Sequence, residues 1–106
     1  MNNSEQEILE RAINTFGVNS QVDMAIEEMA ELTKALLKYR RCCNGDIYVD
    51  DKDKLFGNVI EEMADVQIML NQLYIMFGEP VNYPKEKINR LKNRLDRLQI
   101  KTEDKK

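Results

Sequence analysis

The pentapeptide Ile26-Glu27-Glu28-Met29-Ala30 recurs unchanged as Ile60-Glu61-Glu62-Met63-Ala64, followed by Glu31-Leu32 in the first copy and Asp65-Val66 in the second. Glu28-x-x-Glu31 and Glu62-x-x-Asp65 each place two carboxylates one helical turn apart. Two such helices facing each other gather four carboxylates, and like charges do not stay ionised together in an interior unless a cation neutralises them. The chemistry predicted is a hard-cation site held by Glu28, Glu31, Glu62 and Asp65. All-oxygen ligation points to Mg²⁺, with Mn²⁺ as a substitute, rather than to zinc or copper. Mg²⁺ binds through a few carboxylates together with substrate phosphates, so a phosphate-bearing substrate suits the pattern.

The chain contains no histidine, which removes His-based triads and separates the pattern from the Glu-x-x-His of di-iron bundles. Its two cysteines, Cys42 and Cys43, are adjacent and lack the Cys-x-x-Cys spacing of a zinc site; they read as two reduced thiols near a helix end.

Helices must position these acids. Ser4-x-x-Glu7 reads as a capping box, followed at helical spacing by Ile8, Leu9, Ala12, Ile13 and Phe16, with Gly17 as a stop. Ser20 with Asp23 opens a second helix, predicted to run to about Arg41 or Cys43. The polar stretch from Asp46 to Lys54 reads as a loop. A third helix is predicted from Lys54 or Leu55 to Phe77, stopped by Gly78 and Pro80. Tyr83-Pro84 starts a fourth, with Ile88, Leu91, Leu95 and Leu98 as its stripe. Residues 101–106 are expected to fray. No strand pattern competes. The expectation is a single all-α domain over residues 1–106: a bundle of about four helices, two of them long and carrying the acidic motifs. The copies begin 34 residues apart, the period of a tetratricopeptide repeat. That architecture is rejected, because its signature residues are absent and two copies do not make a stable stack.

At about 100° per residue, the acids can be placed on helical wheels. Glu62 falls inside the apolar face of the third helix, between Leu55, Val66 and Met69, with Asp65 toward one margin beside Asn58 and Gln72. In the second helix Glu28 lies between Ala35 and Tyr39, while Glu27 shares an outer face with Lys34 and Lys38. A solvated face accounts for Glu27 and Glu61. It does not account for Glu62, because a buried acid needs a basic partner, a raised pKa or a metal. Lys34 and Lys38 point away from Glu28 on the wheel, which leaves metal ligation as the economical answer.

Glu28-x-x-Glu31 and Glu62-x-x-Asp65, embedded in Glu-Glu-Met-Ala-Glu-Leu and Glu-Glu-Met-Ala-Asp-Val, resemble the signature of the MazG-like all-α nucleoside triphosphate pyrophosphohydrolases, a superfamily that includes the dimeric dUTPases. Phe16-Gly17 and Gln21 precede the first pair much as Trp/Tyr-Gly and Gln do in many members. Lys87-x-x-Arg90-x-x-x-Arg94 stands where a basic helix is common. The likeness covers residues 12 to 98. It departs in the distance between the motifs, thirty residues between Glu31 and Glu62, which a longer surface loop absorbs at small entropic cost.

The resemblance implies Mg²⁺-dependent hydrolysis of a nucleoside triphosphate to monophosphate and pyrophosphate. It makes Glu27 or Glu28 the group that orients or deprotonates the attacking water. Lys38, Arg41, Lys87, Arg90 and Arg94 become candidates for the phosphate chain, and Gln21 and Asn58 for base or sugar. Ordinary solvated or cap-adjacent roles serve equally well for each of these taken singly.

A net charge of −3 gives no electrostatic case for bulk nucleic-acid binding. The longest apolar runs are too short to cross a bilayer, and the N-terminus lacks the regions of a signal peptide, so a cytoplasmic protein is expected. Ile68, Tyr74 and Ile75 extend the apolar surface of the third helix beyond one face, which predicts a homo-oligomer, dimer or tetramer. Two other readings stand beside the hydrolase: a dUTPase-like enzyme of the same superfamily, and a non-catalytic helical interaction module whose acids are solvated or salt-bridged.

Overall fold

The computed structural model describes residues 2–44 and 52–104, which form four α-helices and no strand: α1 (Asn3–Phe16), α2 (Val18–Asn44), α3 (Lys52–Phe77) and α4 (Tyr83–Asp104). The capping box that opens α1 lies two residues before the expected Ser4–Glu7. The Glu5 N–H donates to Asn2 Oδ1 at 2.8 Å, and the Asn2 N–H donates to Glu5 Oε2 at 3.3 Å. Asparagine caps as well as serine does, and Asn2-x-x-Glu5 offers the same offset two residues earlier.

Gly17 ends α1 with φ +92°, a conformation that disfavours any side chain, and its N–H donates to the Ile13 carbonyl at 2.8 Å. Its own carbonyl then accepts from the Gln21 N–H at 3.1 Å, so α2 starts at Val18 instead of Ser20 and a single residue joins the two helices. The segment expected as a loop is already helical from Lys52, and its remainder lies outside the described residues. α4 continues to Asp104, through four residues expected to fray; Lys105 and Lys106 are not among the described residues.

α2 and α3 form the main packing unit, and α1 lies against both. The two are antiparallel. Tyr39, late in α2, sets its ring in tilted contact with that of Phe56, early in α3, at a centroid distance of 6.1 Å and 59° between planes. Glu28, earlier in α2, meets Glu62 and Asp65, later in α3. Only Ala25, Met69, Gln21 and Gln72 are buried among the described residues, and two of these four are polar. The apolar residues of α1, including Leu9, Ala12 and Ile13, are no more than half-buried. α4 packs against none of the other three helices. The radius of gyration is correspondingly 19.0 Å, where a compact chain of this length has about 13 Å. No described helix is long and apolar enough to cross a membrane.

Met69 is 6% exposed and its neighbour Ile68 is 48% exposed, which separates core from surface on one helix. Met69→Ala should cost about 2–5 kcal/mol in urea unfolding, and Ile68→Ala well under half of that. Equal losses at both positions would contradict this placement of the core.

Candidate metal centre

The α2–α3 seam brings Glu28, Glu62 and Asp65 together. One carboxylate oxygen from each lies within 4.8 Å of the others, and all three residues are half-buried. Oxygens bound side by side on a single Mg²⁺ at about 2.1 Å lie about 3 Å apart, so the three side chains would close further together to share one ion. Glu62 Oε2 is buried with no hydrogen-bond partner. Removal of its carboxylate from water pushes the Glu62 pKa above the ordinary value, and the nearby charges of Asp65, Glu28, Glu31 and Glu61 push it the same way. An orphaned, like-charged oxygen among further carboxylates is what a hard divalent cation relieves, so the donor set fits Mg²⁺ or Mn²⁺.

The repeated string carries the same burial pattern in both copies. Ile26 and Ile60, Glu27 and Glu61, Met29 and Met63, and Ala30 and Ala64 are exposed; Glu28 and Glu62 are half-buried. The copies diverge at their last acids. Asp65 is half-buried within the carboxylate group, whereas Glu31 is exposed and outside it, its Oε1 3.5 Å from Lys34 Nζ. The seam thus assembles three of the four acids. Glu31 stays close, lining with Glu62 and Asn58 a cavity of about 340 Å³ whose rim also carries Lys34 and Lys38. Both lysines are exposed, and Lys38 lies on nearly the same side of α2 as Glu31, so their place at this cavity agrees with the outer face they share with Glu27. The exposed Lys34–Glu31 pair contributes only about 0–1 kcal/mol, so its bearing on the site is electrostatic placement rather than stability.

The other predicted site residues divide by element. Lys38 and Asn58 line the cavity with Glu62. Glu27 and Arg41 are exposed on α2, and Gln21 is buried nearer its start. Lys87, Arg90 and Arg94 are exposed on α4, which does not pack against the seam, so one chain does not bring them to the carboxylates. Sequence reasoning passed over Gln72, which is 3% exposed with its Oε1 buried and unpartnered. A signal for it existed: Asn58, Asp65 and Gln72 recur every seven residues, a polar column down one flank of α3. Cys42 and Cys43 are free thiols, as expected.

Comparison of the chain with protein-family profiles, curated proteins and solved structures finds no match.

The raised Glu62 value has a defined sign for the metal-free protein. The native state holds this proton more tightly than the unfolded chain, where the group titrates near its ordinary 4.5. Its contribution is therefore fully present below that pH and is lost as pH rises through the folded value. Thermal melts in a chelator should show the parent losing stability relative to Glu62→Gln across this window. Above it, Glu62→Gln should be the more stable protein, and a parent–variant difference independent of pH would refute the strained placement of Glu62.

Proposed function

We propose that the chain is a Mg²⁺-dependent nucleoside triphosphate pyrophosphohydrolase of the MazG-like type. It would act as a cytoplasmic homo-oligomer and convert surplus or non-standard (d)NTPs to (d)NMP and pyrophosphate. The observation that carries this reading is the orphaned, buried Glu62 oxygen, set among the half-buried Glu28 and Asp65, on a residue that also lines a cavity with two lysines. The motif resemblance points the same way. The cavity volume falls within the range of small-molecule sites.

In this reading Glu28, Glu62 and Asp65 would hold the cation, with Glu31 as an outlying fourth acid. Such an ion would supply charge neutralisation for the phosphates. Lys34 and Lys38 bind phosphate oxygens from the open side and fix the direction in which the chain lies. Glu27 or Glu28 orients the attacking water and accepts its proton. Asn58, on the cavity wall, hydrogen-bonds sugar or base. A narrower form of the same chemistry is a dUTPase-like preference for one nucleotide. The interaction-module reading draws on a different observation, the unpartnered α4.

Mg²⁺ at a hundredfold excess over its dissociation constant should stabilise the parent by about 2.7 kcal/mol. Glu62→Gln and Glu28→Gln should show little of that gain. In a panel of nucleoside triphosphates with Mg²⁺, the parent should release pyrophosphate and not single phosphate. Both variants should lose on the order of 10²-fold or more in kcat, and Lys38→Ala should mainly raise KM. No turnover of any nucleotide, with Mg²⁺ stabilising parent and variants alike, would sink the proposal.

A further inference from the structure

A second concavity lies away from the carboxylate seam. Gln6 of α1 and Gln67, Asn71, Tyr74 and Ile75 of α3, with Glu79 just beyond, line a groove of about 440 Å³. The four α3 residues lie about 120–220° around the helix from Glu62, so the groove is on the opposite side of α3 from the clustered acids. Asn71, Tyr74 and Ile75 are half-buried and form its floor, while Gln6, Gln67 and Glu79 are exposed and form its rim. Two side-chain hydrogen bonds hold the amides. Gln67 Nε2 donates to Asn71 Oδ1 at 3.1 Å, and Gln6 Nε2 donates to Glu10 Oε1 at 3.2 Å. Both bonds use amide N–H groups, which leaves the Oε1 atoms of Gln6 and Gln67 as acceptors beside the Tyr74 hydroxyl and the Glu79 carboxylate.

Basic residues are missing from this part of the chain. None occurs between Arg11 and Lys34 or between Lys54 and Lys85, and α1 sets Glu5, Glu7 and Glu10 against Arg11 alone. Glu7 and Glu10 adjoin the groove through a smaller hollow that shares Gln6. Glu79 makes no ion pair among the described residues. A phosphate or carboxylate ligand would find no counter-charge here, and a bare divalent cation would find a single carboxylate in the lining. An organic cation finds a carboxylate, amide oxygens and an aromatic face together. We propose that this groove binds an alkylguanidinium group. A guanidinium carries its N–H donors in a rigid planar fork. It can pair bidentately with Glu79, give its remaining donors to the amide oxygens, and lay its face on the Tyr74 ring. An alkylammonium is a more strongly hydrated point charge and matches fewer of these groups. Ile75 offers apolar contact to the alkyl stem. Neither metal nor nucleotide enters, so the proposal stands without the hydrolase chemistry.

The test is an NMR titration of the isotope-labelled full chain with butylguanidine, in a chelator and at low ionic strength. The side-chain amide signals of Gln6, Gln67 and Asn71 should shift saturably, with a dissociation constant on the order of 1 mM. Butylamine should bind about three- to tenfold more weakly. Butylurea, nearly the same shape but neutral, should leave these signals in place. Glu79→Gln and Tyr74→Ala should each weaken butylguanidine about three- to tenfold. Tyr74→Phe keeps the ring and should lose far less, and Glu62→Gln should bind as the parent does. Should Tyr74→Ala unfold, Glu79→Gln, at an exposed position beyond α3, carries the comparison alone. A blocked peptide with one arginine between two serines separates the sources of the group. Tighter binding than butylguanidine assigns the groove to an arginine of a protein partner, and equal or weaker binding assigns it to a free small guanidine. The proposal is overturned by the absence of any saturable shift or by equal shifts with butylurea. It is overturned too by binding that survives Glu79→Gln but is lost in Glu62→Gln, which would place the cation on the seam carboxylates.

Discussion

The α2–α3 seam has to accommodate carboxylates where a helical pair would ordinarily place aliphatic side chains. Glu28, Glu62 and Asp65 occupy half-buried positions along the seam beside half-buried Leu32, Val59 and Val66. Ala25 and Met69 are buried one turn away, and the Tyr39–Phe56 ring contact lies toward the far end of the seam. Packing that a small domain would use for stability is thereby given over to an electrostatically unfavourable group of like charges. Neutralisation of that group would benefit the fold as well as any chemistry, since binding to the native state alone stabilises it. The candidate site and the buried residues share one seam.

That sharing explains why the chain is thinly packed. Four buried residues among those described make a small core for a chain of 106 residues, and two of the four are glutamines. Small domains are marginal even when their cores are wholly apolar. α1 adds only partly buried contacts, and α4 adds none within the chain. The extended dimensions, 60 × 43 × 23 Å, describe a surface with faces still to be covered, not a closed globule.

Features with a strong local cause were legible in the sequence. Helical periodicity and the absence of any strand pattern gave the fold class, and Gly17 marked the boundary its positive φ requires. Glu62 stood out because no amphipathic helix places an acid between Leu55, Val66 and Met69 without a reason. Features decided by alternatives of nearly equal energy were not legible. Asn2 competed with Ser4 for the cap, since each stands three residues before a glutamate. Tertiary placement was hidden most completely. The stripe of α4 says that the helix needs a partner, but nothing local says that its own chain does not provide one.

The duplicated string places identical residues in matching environments until its final acid, where the match fails. Glu31 reaches outward to a lysine, while the shorter Asp65 stays in the seam. An arrangement that could have been two-fold symmetric therefore has distinguishable ends: α3 contributes two carboxylates to the cluster and α2 one, and the lysines line the cavity from the α2 side. The two sides of the seam are therefore chemically distinct, with most of the clustered carboxylates on α3 and the lysines on α2. One divergent residue after a perfect repeat is enough to give the cleft a polarity.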